Sequence, residues 1–115
     1  MWIITELIKW GKSDPDIKRI FLYGSRFRGD FRPDSDLDLA VEVWDEPEPD
    51  TLIWSAWRPQ KKIKLESTLS GIIGLQVHLE YYDSGNRNLT PHIKTAILLG
   101  SKIIYDSGID KRKEF

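Results

Sequence analysis

The sequence predicts a layered α+β domain, a small sheet with helices over it. Segments with apolar residues at helical spacing alternate along the chain with segments of period two, which is the pattern of interleaved helices and strands. A length of 115 residues suits one compact core and is too short for a catalytic domain plus an independent substrate domain.

In the first ten residues Ile3, Ile4, Leu7 and Ile8 fall on one helical face, and Gly11 followed by Ser13-Asp14-Pro15-Asp16 is expected to stop that helix. Ile17 to Tyr23 is a near-continuous apolar run ending at Gly24, as in a central strand covered on both faces. Between Gly24 and Pro33 the chain turns to Gly, Arg and Asp, a composition that suits a turn and the start of a short helix. Leu37, Leu39, Val41 and Val43 then alternate with Asp38, Ala40 and Glu42, so period two gives a strand with one apolar side.

Asp45-Glu46-Pro47-Glu48-Pro49-Asp50 is an acidic, proline-broken loop between two halves. Thr51 to Gly71 is helical in pattern but interrupted at Pro59; a short helix followed by a longer one with Pro59 in its first turn fits better than one kinked helix. Trp54 and Trp57, three apart in that segment, share a face either as core or as partner-binding anchors. Leu75, Val77 and Leu79 alternate with Gln76, His78 and Glu80 in a third strand. Thr90-Pro91 reads as N-cap and first position of a helix through Ile93, Ala96 and Ile97 that ends at Gly100, and Lys102 to Tyr105 as a last short strand. Residues 1–106 form the expected domain and 107–115 a polar tail.

Lys and Arg total 17 against 18 Asp and Glu, so no global charge favours a long nucleic-acid ligand. Cysteine is absent, which excludes disulfides, thiolate zinc sites and a cysteine nucleophile, and fits a reducing cytoplasm. The apolar N-terminal run carries Glu6, lacks a basic leader and is too short to span a bilayer, so neither a signal peptide nor a membrane segment is expected.

The chemistry concentrates in one stretch. Asp36 and Asp38 are two apart on a predicted strand, so both carboxylates leave the same face and can grip one ion or a pair of ions. Such hard oxygen donors suit magnesium or manganese, whose remaining positions are filled by water and substrate phosphate. Gly24 and Ser25 sit ten residues upstream at the end of a buried strand, where a small-residue turn lets backbone N–H groups and a hydroxyl approach a phosphate. A calcium EF-hand loop starting at Asp34 would need Gly and Glu where Leu39 and Asp45 stand. An Asp-x-Asp of a sugar-nucleotide transferase would belong to a larger two-substrate architecture. A merely solvated strand face leaves Gly24-Ser25 unexplained.

Gly24-Ser25-Arg26-Phe27-Arg28-Gly29-Asp30 and Pro33-Asp34-Ser35-Asp36-Leu37-Asp38-Leu39 resemble the signature of the DNA polymerase β nucleotidyltransferase superfamily, and more narrowly that of the minimal nucleotidyltransferases, the MNT proteins. The resemblance covers most of the chain, including Gly71 to Leu79 as the family's third strand and Lys102 to Asp106 as its closing strand. It implies a palm-like fold with a small mixed sheet and a cytoplasmic antitoxin of the HEPN/MNT toxin–antitoxin type. The implied reaction is magnesium-dependent adenylyl transfer from ATP to a protein hydroxyl, a tyrosine of a HEPN partner, within a hetero-oligomer. Asp36 and Asp38 would hold two magnesium ions, or manganese; Gly24 and Ser25 would orient the terminal phosphates, and Arg26 and Arg28 would offset charge on the pyrophosphate. The family's third carboxylate aligns with His78, a departure from the pattern. Glu80, two residues on and on the same polar face, is the expected substitute as ligand or base, and Asp83 falls on the opposite face. The His78 departure also motivates the other reading, an antitoxin that neutralises its partner by binding alone.

Overall fold

The computed structural model describes residues 2–30, 32–44, 59–82, 84 and 91–108. Helix α1 (Trp2–Ser13) leads into strand β1 (Ile17–Tyr23), a four-residue helix α2 (Ser25–Arg28) and strand β2 (Leu37–Val43). Helix α3 (Pro59–Ile73), strand β3 (Val77–Tyr81), helix α4 (Pro91–Leu99) and strand β4 (Ser101–Asp106) follow, so of the Gly71 to Leu79 segment expected as the third strand, residues 71–73 are the end of α3 and the strand starts at Val77. The strands form one mixed sheet in the order β3-β2-β1-β4, with β1 antiparallel to β2 and β4 and β2 parallel to β3. The expected α+β fold, a small sheet covered by helices, is the one found.

The alternation in β2 divides the molecule into two apolar layers. Leu37, Leu39, Val41 and Val43 join Ile17, Ile20, Val77 and Leu79 in the main core, closed by Leu7 of α1 and Leu69 and Ile73 of α3. On the opposite face Phe21, Ala40 and Tyr82 pack with Ile93 and Ile97 of α4 in a smaller cluster. Phe21 and Tyr82 meet edge to face at 5.1 Å between ring centroids.

Two glycines act differently from expectation. Helix α1 ends at Ser13, within the Gly11 to Asp16 segment expected to stop it, but Gly11 itself is still helical. It lies instead against the ring of Tyr105, where a Cβ would come within 2.5 Å of Cδ2, so the helix keeps its glycine to approach β4 closely. Gly74 follows α3 at φ +82°, a left-handed position that suits glycine, so the helix ends at Ile73, two residues beyond the expected Gly71.

Pro59 opens α3, as its missing N–H and fixed φ favour. Facing β3, this helix places Ser70 Oγ 2.9 Å from the amide of Val77 and Glu66 Oε2 2.8 Å from that of Leu79. Both amides sit on the edge strand, so α3 satisfies donors that would otherwise offer themselves to another chain. The acidic loop, Trp54, Trp57, Asp83, Thr90 and residues 109–115 lie outside the described residues. Among the described residues no helix is long and apolar enough to cross a membrane.

Candidate active site

The mixed topology brings the C-terminal end of β1 and the N-terminal ends of β2, β3 and β4 to one end of the sheet. Tyr23 pairs with Asp38 across one side and Ser101 across the other, and Asp38 in turn lies level with His78. Residues level with one another in adjacent strands share a face, so Tyr23, Asp38 and His78 form a row. It lies on the same face as the smaller cluster, just beyond it.

Gly24 follows Tyr23 and closes the row. Its φ is +78°, and a Cβ there would run into Asp38 Oδ2. Its carbonyl accepts from the amides of Phe27 (3.1 Å) and Arg28 (3.0 Å), which starts α2, and the left-handed Gly29 ends that helix by donating to Ser25 O at 2.9 Å. Ser25 is therefore the first residue of a tight helical turn next to the Asp38 carboxylate. The sequence pattern of Gly and Ser beside a paired aspartate thus has a steric basis.

Asp36 arrives from a short turn in which Ser35 N donates to Arg32 O (2.9 Å) and Arg32 N to Ser35 Oγ (2.8 Å). The amide of Leu37 donates to Gln76 O at 2.8 Å and ties the start of β2 to the segment leading into β3. There His78 Nε2 stands 3.6 Å from Asp36 Oδ2, with both side chains about half exposed. Glu80 lies level with Ala40, two pairs further along, and its carboxylate is 4.0 Å from Lys62 Nζ of α3.

Charge at this row is concentrated. Burial holds the Asp38 carboxyl above its usual range, and Asp36 and Glu80 push the same way, while His78 and Arg28 oppose them. Burial, and then the charges of Asp38 and Glu80, likewise raise the Tyr23 phenol, which stays a neutral hydroxyl beside the acids. A divalent cation would relieve this repulsion, and two carboxylates completed by water and phosphate oxygens are a fitting donor set for magnesium or manganese. Among the described residues no three His, Asp or Glu side chains are placed to hold one ion, so a third protein ligand does not converge on Asp36 and Asp38.

The arginines diverge. Arg28 Nε is 3.3 Å from Asp30 Oδ2 in an exposed pair, and its charge still reaches Asp38. Arg26 turns to the carbonyls of Pro33 and Ser35. The residue-by-residue reading missed Tyr23, whose place in an apolar run gave no hint of its position across from Asp38. It also missed Glu42, on the same face of β2 as Asp38 and only 2% exposed. Glu42 accepts the Ser84 amide at 2.9 Å and is 3.4 Å from Arg19 Nη1, and Arg19 Nε is 3.7 Å from Asp106. Its role is to tie the far end of the sheet together.

Similar folds occur in several solved toxin–antitoxin structures. One, a toxin–antitoxin complex with AMP-PNP, aligns with a TM-score of 0.62 at 19% identity over 96% of this chain and 76% of that one. A second, an AMPylated Shewanella oneidensis HEPN toxin in complex with MNT antitoxin, gives 0.63 at 17% over 96% and 76%. A mutant form of the MntA–HepT pair gives 0.67 at 17% over 95% and 78%. No curated protein matches the chain. The family described as polymerase beta, nucleotidyltransferase matches residues 5–108, the span that holds all four strands and the row at their end. With the glycine turn and the two aspartates of that row inside the match, the chain belongs to the polymerase beta nucleotidyltransferase family.

Proposed function

We propose that this protein transfers AMP from ATP to a hydroxyl of a protein partner, a tyrosine of a HEPN toxin, and so acts as the antitoxin of the pair. The observation that carries the reading is the packing of Gly24 against the Asp38 carboxylate, with Asp36 two residues away on the approach to the same strand. Family membership supports nucleotidyl transfer. The solved structures of similar fold, in which an antitoxin is paired with its toxin, one with AMP-PNP and one with an AMPylated HEPN toxin, favour this acceptor.

In this mechanism Asp36 and Asp38 would hold magnesium, as two ions, or manganese, which would supply charge to offset the triphosphate and to acidify the acceptor hydroxyl. Gly24 leaves room for the Asp38 carboxylate to pack against the turn, and the turn's backbone with the Ser25 hydroxyl orients the terminal phosphates. The acceptor oxygen forms a bond to the α-phosphorus as the bond from that phosphorus to the bridging oxygen breaks, and pyrophosphate leaves with the electron pair. Glu80 takes the proton of the acceptor hydroxyl, and Arg28 offsets charge on the departing pyrophosphate. Tyr23, kept neutral by burial and by the charges of Asp38 and Glu80, adds no further negative charge to the row.

A second reading is favoured by the His78–Asp36 pair and by the lack, among the described residues, of a third converging ligand. In it the protein keeps the fold but neutralises its partner by binding alone. Incubation with α-labelled ATP, magnesium and the HEPN-type partner separates the two. Label on the partner is the expected result; a tight complex carrying no label would replace transfer with blocking.

A further inference from the structure

The turn that delivers Asp36 is held from outside by one side chain. Arg26 Nε and Nη2 donate to Ser35 O at 3.2 and 3.0 Å, and Nη2 also donates to Pro33 O at 3.1 Å. Together with the two bonds inside the turn, these fix Ser35 at its amide, its hydroxyl and its carbonyl, immediately before Asp36. Arg26 also lines an apolar cavity with Leu7 of α1 and with Leu22 and Leu37. Leu22 and Leu37 leave the sheet on the side opposite Tyr23 and Asp38, by the alternation of each strand. The guanidinium thus approaches the turn from behind the acidic row, while Arg28, two residues on, is the arginine whose charge reaches Asp38.

We infer that Arg26 is a positioning residue: it clamps the Arg32–Ser35 turn and so holds Asp36 beside Asp38, its guanidinium serving backbone carbonyls in place of substrate phosphates. The planar fork of arginine sets Nε and Nη2 together on Ser35 O while Nη2 also reaches Pro33 O, a fixed two-nitrogen approach that a lysine ammonium on its flexible stem lacks. Residues that orient metal ligands typically change metal affinity by about 10- to 100-fold when removed. This inference rests on the nucleotidyl-transfer reading, but the clamp itself can be tested without activity.

The experiment compares wild-type protein with Arg26→Lys and Arg26→Ala. Amide hydrogen exchange over residues 32–37 reports the clamp. Equilibrium dialysis with labelled ATP in EDTA reports phosphate binding, and manganese titration by electron paramagnetic resonance in the presence of ATP reports the metal site. In both variants, exchange in the turn is expected to rise about tenfold or more while β1 amides keep their protection, and manganese affinity to fall about tenfold. Metal-free ATP affinity is expected to stay unchanged, and Lys not to rescue. Unchanged exchange in the turn, with weakened metal-free ATP binding in Arg26→Ala that Lys restores, would overturn the inference and make Arg26 a phosphate ligand. Should Arg26→Ala lose its cooperative thermal transition, Arg26→Lys, which keeps the stem and the charge, decides alone. Wild-type protein that neither binds ATP nor transfers AMP would remove the functional reading, and the exchange measurement would still decide the clamp.

Discussion

Gly24 rests against the carboxylate of Asp38 so closely that any Cβ at residue 24 would overlap Asp38 Oδ2. The left-handed backbone at Gly24 adds strain for any other residue, about 1–3 kcal/mol. Gly24→Ala is therefore expected to lower stability by about that amount and transfer activity by about 100-fold or more, through a displaced Asp38. Gly29→Ala is the control. Its φ is +83° but nothing lies within 4 Å of its missing Cβ, so it should lose comparable stability with little effect on rate at saturating ATP. Thermal melts and initial rates on the two variants make the comparison.

Asp38 predicts a stability effect opposite to its functional one. Its folded-state pKa lies above the unfolded value, so folding is favoured most when the group is protonated in both states, and that contribution is lost as pH rises through the folded pKa. At pH 7 the ionised carboxylate opposes folding. Asp38→Asn should then be more stable than wild type at pH 7 while inactive, and the gain should shrink toward zero below about pH 4, where the wild-type group is protonated in the unfolded chain too. Urea denaturation at both pH values reads this difference; a variant less stable at pH 7 would contradict it.

Glu42 should behave in the opposite way to Asp38 although the two share a face of β2. It is deeply buried, accepts the Ser84 amide and pairs with Arg19, so Glu42→Ala leaves that amide without its acceptor and Arg19 to its pair with Asp106 alone. Removing one partner of a buried pair costs about 3–5 kcal/mol, and the partial exposure of Arg19 places this one toward the lower end. Glu42→Gln, which keeps an acceptor for Ser84, should cost less. Denaturation midpoints for the two variants check the order.

Much of the fold was legible because its signals are local. β1 was expected from Ile17 to Tyr23 and is found there; the period-two run of β2 and the Pro91 start of α4 also match. What was not legible depends on partners distant in sequence. The order β3-β2-β1-β4 is set by how whole faces pack, and Gly11 reads as a stop until Tyr105 is seen against it. The pairing of Gly24-Ser25 with the aspartates could be read because one hairpin-like connection holds both. Asp38 and Glu42 look alike as polar residues on an alternating strand, and partners distant in sequence, Arg19 and the Ser84 amide, mark Glu42 as the buried structural acid. The same limit applied to Arg26, whose acceptors are backbone carbonyls that no residue pattern reveals.

The edge of the sheet gives a prediction independent of catalysis. Glu66→Ala removes the acceptor of the Leu79 amide on β3, which should cost about 1–3 kcal/mol if that amide stays dry, and less where water reaches it. Exchange of the Leu79 amide should accelerate while that of Val77, bound to Ser70, changes less. Site-resolved hydrogen exchange by NMR tests both.

Asp36 and Asp38, set against the Gly24-Ser25 turn, are the residues proposed to perform adenylyl transfer. The most direct measurement is label transfer from α-labelled ATP to a HEPN-type partner by wild-type protein and by the Asp36→Asn, Asp38→Asn double variant, with circular dichroism to show that both are folded. With wild type, label is expected on the partner, and the double variant is expected to lose about 1,000-fold or more, since the charge that would hold the metal is removed. Undiminished transfer by the folded double variant would contradict this assignment.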